Sequence, residues 1–220
     1  MTSTKEQPIL FSAPMVRAIL EGRKVQTRRV MKPQPGDDWN PEVGICAYEW
    51  KGSGEPGPDF FGAGDEDECY KCPYGAPGDR LWVRETWANF GGYAVLYQHH
   101  KPGVAYRATW DSDKYGWPDF AHHVSYVPGG KWRPSIFMPR WPSRITLEIT
   151  EVRVQRVQEI SEEDAVAEGT GQWAMETNAI LTCETMRDAY RKLWDSINIK
   201  KYPWESNPWV WALSFRRGTL

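Results

Sequence analysis

The sequence predicts an α+β domain built around a small curled sheet, and three observations carry that prediction. Residues 144–158 alternate as a strand does, with Ile145, Leu147 and Ile149 in one phase and Val152 and Val154 in the other. The slip near Thr150-Glu151 predicts a bulge, a device that bends a sheet toward a barrel. Apolar residues at helical spacing are confined to a few short segments, of which 183–197 is the longest. The chain closes on Trp209-Val210-Trp211-Ala212-Leu213-Ser214-Phe215, a strand with Trp209, Trp211, Leu213 and Phe215 on one side. Sparse helices beside several strands favour helices packed on one curled sheet.

The 220 residues are 40% hydrophobic and 25% charged, ordinary for a globular chain and long enough for one domain with insertions. The 13 tryptophans are not ordinary. They imply a core and grooves made of flat rings whose N–H groups need partners. A net charge of −2 excludes a global basic field, so any nucleic-acid contact has to come from a local patch or pocket. No apolar run reaches membrane-spanning length and the N-terminus lacks a signal pattern, which predicts a cytoplasmic protein with no membrane contact. Cys69 and Cys72 have the spacing of half a zinc site, but Cys46, Cys183 and the histidines supply no second half. Free thiols, no metal and no other cofactor are expected.

Taken in order, a polar tail leads into a strand at Ile9–Phe11. Ser12 and Pro14 open a helix over Ala13–Glu21, and Gly22 suits the left-handed position that stops one. Lys24 to Val30 then reads as extended, with Val25 and Thr27 on one face and Lys24, Gln26 and Arg28 on the other. By itself this stretch is either a solvated basic edge or a site for an anion or nucleobase where a helix hands over to a strand. Residues 32–78 are rich in Pro, Gly, Asp and Glu without periodicity and read as a long loop insertion, its Asp65–Glu68 part a solvated turn. Pro77-Gly78-Asp79 launches a strand over 80–87. In it Leu81, Val83 and Glu85 share the inward face, so Glu85 either pairs with an arginine or belongs to a site. Short aromatic strands are expected around Tyr93–Tyr97 and Val104–Trp110, followed by a second insertion at about 111–133. His99, His100, His122 and His123 read as solvent-facing loop residues. Ser161 caps a helix that ends at Glu168-Gly169, with Asp164 three residues on. Thr182 is expected to cap the 183–197 helix, whose stripe of Met186, Ala189, Tyr190, Leu193, Trp194 and Ile197 reads as core packing.

The order of these motifs resembles the ASCH domain of the PUA-like superfamily, above all its larger phage and prophage members. The resemblance rests on Gly22-Arg23-Lys24, Thr27-Arg28-Arg29, Cys72-Pro73-Tyr74-Gly75, Pro77-Gly78-Asp79 before Leu81–Glu85, Pro134-Ser135-Ile136-x-Met138-Pro139-Arg140 and Ala167-Glu168-Gly169. It spans most of the chain outside 32–67 and parts of 111–130. It implies one α+β domain over residues 1–220: a small curled β-barrel of the PUA-like kind, with flanking helices and long loop insertions. It also implies a cleft for RNA, a nucleoside or a modified base, with no obligate protein partner.

Some small ASCH proteins are amidohydrolases that deacetylate N4-acetylcytidine, and others are described as ribonucleases. By resemblance, the amidohydrolase residues correspond to Lys24, Thr27 and Glu168, and the chain departs from the larger members in having Phe137 where a histidine is expected. Amide hydrolysis needs an activated nucleophile, a proton carrier and oxyanion donors. Thr27 supplies a hydroxyl, Lys24 either a base or a donor, and Glu168 a proton shuttle. Arg28, Arg29, Trp82, Arg84, Glu85 and Tyr106 are the candidate substrate-binding residues. The alternative is a reader without catalysis, stacking bases on Trp82, Trp87, Tyr106 and Trp132 and holding oxygens with Arg28, Arg29, Arg84 and Arg140.

Overall fold

The computed structural model describes residues 4–36, 38–39, 41–46, 60–64, 68–89, 104–109 and 131–218. The predicted strands at Tyr93–Tyr97, all four histidines, Asp65–Asp67 and most of 111–133 lie outside them. Numbered in chain order, β1 (Glu6–Leu10), β2 (Gln26–Val30), β6 (Arg80–Arg84), β9 (Thr146–Arg156) and β10 (Trp209–Arg217) form a five-stranded sheet in the order β1-β6-β9-β10-β2. The β1–β6 pair is parallel and the other pairs are antiparallel. Ser214 faces Glu151 and Phe215 faces Ile149, so Thr150 is the extra residue of a bulge where the phase slip predicted one.

The mixed α+β class holds, but among the described residues the sheet is open and forms no closed barrel. Its two edges, β1 and β2, are joined by helix α1 (Ala13–Leu20) and not by ladder bonds. Arg29 ties them, donating from Nη2 to the Leu10 carbonyl at 2.5 Å. Leu81, Val83, Ile145, Leu147, Ile149, Trp211 and Leu213 fill the core against Val16 and Ile19 of α1. Each such aliphatic side chain contributes about 1.5–3 kcal/mol by leaving water.

The 32–78 segment is no structureless loop. It carries an antiparallel meander of β3 (Glu42–Cys46), β4 (Phe60–Gly64) and β5 (Cys69–Lys71). Gly44, Gly62 and Gly64 interrupt the alternation that would have announced it. Trp39 beside the meander is buried edge-on against Tyr70 at 5.1 Å and Trp209 at 5.2 Å, fastening it to β10. The predicted 80–87 strand breaks at Glu85-Thr86, and β7 (Trp87–Asn89) pairs instead with β8 (Val104–Tyr106). The strand predicted to Trp110 ends at Tyr106 in a 3₁₀ turn over Arg107–Thr109.

Helix α2 (Glu162–Ala167) is capped as expected, with Ser161 Oγ accepting from the Asp164 amide at 3.1 Å. An unexpected α3 (Thr170–Glu176) follows directly, with Gly169 in the left-handed conformation turning the chain between the two helices. Helix α4 (Met186–Asn198) starts later than predicted. Thr185, not Thr182, accepts from the Asp188 amide, while Thr182 ends a 3₁₀ turn. Among the described residues no helix is long and apolar enough to cross a membrane.

Candidate functional site

The end of α1 sets the site. Gly22 takes φ 74°, and the amides of Arg23 and Lys24 both donate to the Ala18 carbonyl, at 2.8 and 3.0 Å, closing the helix in a tight left-handed turn. The Val25 amide then donates to the Ala167 carbonyl at 2.9 Å, which pins the entry to β2 against the C-terminal end of α2. Val25 is left 43% exposed, and Lys24 turns inward against Glu168. Gly169 makes room for this. It sits at φ 75°, and a Cβ there would come 2.9 Å from Lys24 Cβ and 3.1 Å from Ala18 Cβ. Gly169→Ala is therefore expected to cost about 1–3 kcal/mol in chemical unfolding, from left-handed strain together with displacement of Lys24.

A buried charge network follows. Lys24 Nζ donates to the Gln26 carbonyl at 2.7 Å, the Glu168 carbonyl at 2.6 Å and Glu168 Oε2 at 2.8 Å. Arg28 donates from Nη1 to Gln26 Oε1 at 2.6 Å and Glu168 Oε1 at 3.2 Å, and from Nη2 to Asp164 Oδ2 at 2.5 Å. Arg153 reaches Asp164 from the open side at 3.2 Å. Burial pulls the Lys24 ammonium below its ordinary value; Glu168 opposes that, while Arg29 and Arg28 reinforce it. Three acceptors around Nζ fit the charged form at rest, since a neutral amine has only two protons to give. Asp164 loses hydration, but Arg28, Arg153 and the bonds from Gln26 and Arg28 outweigh that loss and hold its carboxyl low.

The network forms one wall of a cavity of about 370 Å³ at the open seam of the sheet. Leu10 and Phe11 line it from the β1 edge and Thr27, Arg28, Arg29 and Val30 from the β2 edge. Tyr190, Leu193, Trp194 and Ile197 of α4 form the apolar wall, with Ser135 and Thr86 at the rim. The Phe11 ring lies 5.5 Å from Lys24 Nζ and 5.1 Å from Arg29 Cζ. Thr27 is 4% exposed and its hydroxyl bonds to no described residue, so it opens on the cavity.

Lys24 from the turn after α1, Thr27, Arg28 and Arg29 from β2, and Glu168 from the cap of α2 are thus brought together. Trp82, Arg84, Glu85 and Tyr106 are not. Glu85 is buried in a two-pronged ion pair with Arg144, at 2.9 and 3.0 Å, and Arg144 lies 4.0 Å over the Tyr106 ring. The Tyr106 hydroxyl donates to the Pro142 carbonyl at 2.6 Å. Trp82 packs under Arg84 at 4.8 Å and Arg140 at 5.9 Å, the latter paired with Glu6. Arg84 lines a second, shallower hollow with Trp87, Arg133, Trp141 and the 69% exposed Phe137. What the sequence reading missed is the α4 wall: its stripe is core over most of its length, but Ile197 is 68% exposed and the upper part borders the cavity.

Among the described residues no three His, Cys, Asp or Glu side chains are grouped to hold a metal. Cys69 is exposed, whereas burial pushes the Cys72 thiol up to about 11. Alkylation of the folded protein at pH 8, read by peptide mass spectrometry, is expected to label Cys69 and spare Cys72. Comparison of the chain with models of protein families, with curated proteins and with solved structures gives no match.

Proposed function

We propose that this chain is a PUA-like protein of the ASCH kind whose open seam takes a nucleoside or modified base, and that it removes an acyl group from a modified cytidine such as N4-acetylcytidine. The observation that carries this reading is the buried, unpartnered Thr27 hydroxyl on the wall of a cavity whose polar side is the Lys24–Glu168 pair. The cavity volume falls within the roughly 300–1,000 Å³ of small-molecule sites. One charged wall and one aromatic wall suit a flat ring with a polar edge.

The reaction follows from the pair. A proton passing from Lys24 to Glu168 Oε2, across 2.8 Å, leaves an amine and a carboxylic acid with no net change of charge. The Lys24 amine takes the Thr27 proton as Oγ attacks the acyl carbon, and the carbonyl π electrons move to oxygen. When the carbonyl re-forms, the C–N bond breaks and Glu168 protonates the departing nitrogen. Water repeats the cycle on the acyl-threonine, giving up its proton to Lys24, and the Thr27 alkoxide takes the proton of Glu168. The sum is acyl-cytidine plus water giving cytidine and carboxylic acid.

Incubation with N4-acetylcytidine, followed by chromatography, tests this. Wild type is expected to release cytidine, and Thr27→Ala to lose roughly 10³-fold or more of that rate. Turnover no faster than the uncatalysed control sinks the amidohydrolase reading. A second reading, a single-strand RNA reader or ribonuclease, is favoured by the hollow in which Arg84 and Arg133 make no ion pair with a described residue and Trp87 lies 5.3 Å under Arg133. It expects a labelled oligonucleotide to bind with a steep salt dependence and Arg133→Ala to weaken it. Shortened product marks the nuclease.

A further inference from the structure

Acyl transfer at Thr27 needs a donor facing the oxygen on which charge develops, and the two buried cations of the cavity wall, Lys24 and Arg28, are already committed. All three protons of Lys24 Nζ are taken by oxygen acceptors. Both Nη groups of Arg28 are engaged with Gln26, Glu168 and Asp164, and its Nε is sealed in the interior. Arg29, only half-buried, spends Nη2 on the Leu10 carbonyl and has its Nε sealed, which leaves Nη1 as its one donor without a described partner.

Tyr190 differs from them. It is 3% exposed, and its ring is held by Trp194 at 6.3 Å and Trp204 at 6.2 Å. Its hydroxyl bonds to no described residue and is not among the sealed polar atoms, so it opens on the cavity that the side chain lines. A buried hydroxyl that folding leaves unpartnered at a cavity wall is a group waiting for a ligand acceptor.

We infer that the Tyr190 phenol is the oxyanion donor of this site, giving its O–H to the acyl carbonyl oxygen of the substrate as Thr27 attacks. This rests on the amidohydrolase reading. The phenol is suited to the task because burial, and then the charge of Glu168, raise it well above the ordinary tyrosine value and keep it a neutral donor across the working pH range. Its bond strengthens as the carbonyl oxygen gains charge, so the gain falls on the chemical step.

The test is Tyr190→Phe, which keeps the ring and its packing on Trp194 and Trp204 and removes the hydroxyl. With N4-acetylcytidine, kcat is expected to fall roughly 10²–10³-fold, while KM changes by less than about threefold. N4-thioacetylcytidine supplies the readout that a packing role would not move, since thiocarbonyl sulfur accepts hydrogen bonds poorly. Wild type should prefer the oxygen substrate, and Tyr190→Phe should lose most of that preference. A variant that keeps wild-type kcat while Thr27→Ala is inactive places the donor elsewhere and overturns the inference. A variant slowed equally on both substrates assigns Tyr190 to packing and also overturns it. Inert wild type removes the reaction, and this role with it.

Discussion

Arg144→Ala is expected to cost about 3–5 kcal/mol of folding stability at neutral pH, the usual penalty for removing one partner of a buried ion pair. Arg144 and Glu85 are both buried, joined by two hydrogen bonds, and the guanidinium also covers the Tyr106 ring. Removing it leaves the Glu85 carboxylate with no cation in a place where water cannot follow. Even with Arg144 present, burial outweighs that partner's hydrogen bonds and charge and holds the Glu85 carboxyl above its ordinary value. A carboxyl raised in the folded state binds its proton more readily folded than unfolded. Its contribution is therefore full below the unfolded value of about 4.3 and is lost as pH rises through the folded value. Without Arg144 the folded value climbs further, so the deficit should be largest at neutral pH and should shrink on acidification toward pH 5. Urea unfolding of wild type, Arg144→Ala and Arg144→Ala/Glu85→Gln at both pH values measures this, and the double variant should recover part of the loss. A deficit independent of pH would mean that lost packing on Tyr106, and not charge, is what Arg144 contributes.

That ion pair was legible in the sequence only halfway. Alternation through Leu81, Val83 and Glu85 placed a carboxylate on the inward face, but nothing local pointed to Arg144, 59 residues further along the chain. The bulge at Thr150 was fully legible, because a phase slip between two clear alternating runs has few other structural outcomes. The meander of β3, β4 and β5 was not, since glycine at Gly44, Gly62 and Gly64 removes the side chains that alternation is read from. The cavity was illegible for a different reason. Periodicity says which residues of α4 leave water, and Tyr190 and Trp194 do, but it does not separate a side chain that meets another side chain from one that meets an empty space. That distinction depends on how far apart β1 and β2 stand, and the helix joining them sets this distance. Lys24, Thr27 and Glu168 were singled out by the family resemblance, and their burial was not legible locally: the stretch from Lys24 to Val30 reads equally as a solvated basic edge until three acceptors are found around the Lys24 ammonium.

Glu168→Leu is expected to be the costliest single change in the site, about 3–5 kcal/mol, because it strands two buried cations at once. Lys24 would keep two backbone carbonyls and Arg28 would keep Gln26 and Asp164, but the carboxylate between them is what offsets their mutual repulsion. Lys24→Met should cost less, since it leaves Glu168 with Arg28 as its counter-charge. The double variant Lys24→Met/Glu168→Leu should therefore be more stable than the sum of the singles predicts, by a coupling of roughly 0.5–3 kcal/mol. The pH dependence has the opposite sign to that of Glu85. An ammonium whose value is lowered by burial gives up its proton at lower pH in the folded protein than in the unfolded chain, so stability rises with pH between the folded value and the unfolded value of about 10.4. Glu168 supplies both of the influences that hold Lys24 up. In Glu168→Leu the rise should accordingly begin at lower pH than in wild type, and the stability gap between the two should narrow in alkali. Unfolding curves from pH 6 to pH 10 decide it, and a gap that stays constant would contradict a charged Lys24 at rest. The same substitution separates stability from chemistry. At a pH where Glu168→Leu is folded it retains the Thr27 and Tyr190 hydroxyls and a Lys24 amine able to accept a proton, and lacks only the acid that protonates the departing nitrogen. Its slow step should then be C–N cleavage, and acyl nucleosides with a better leaving amine should recover rate in Glu168→Leu while gaining little in wild type.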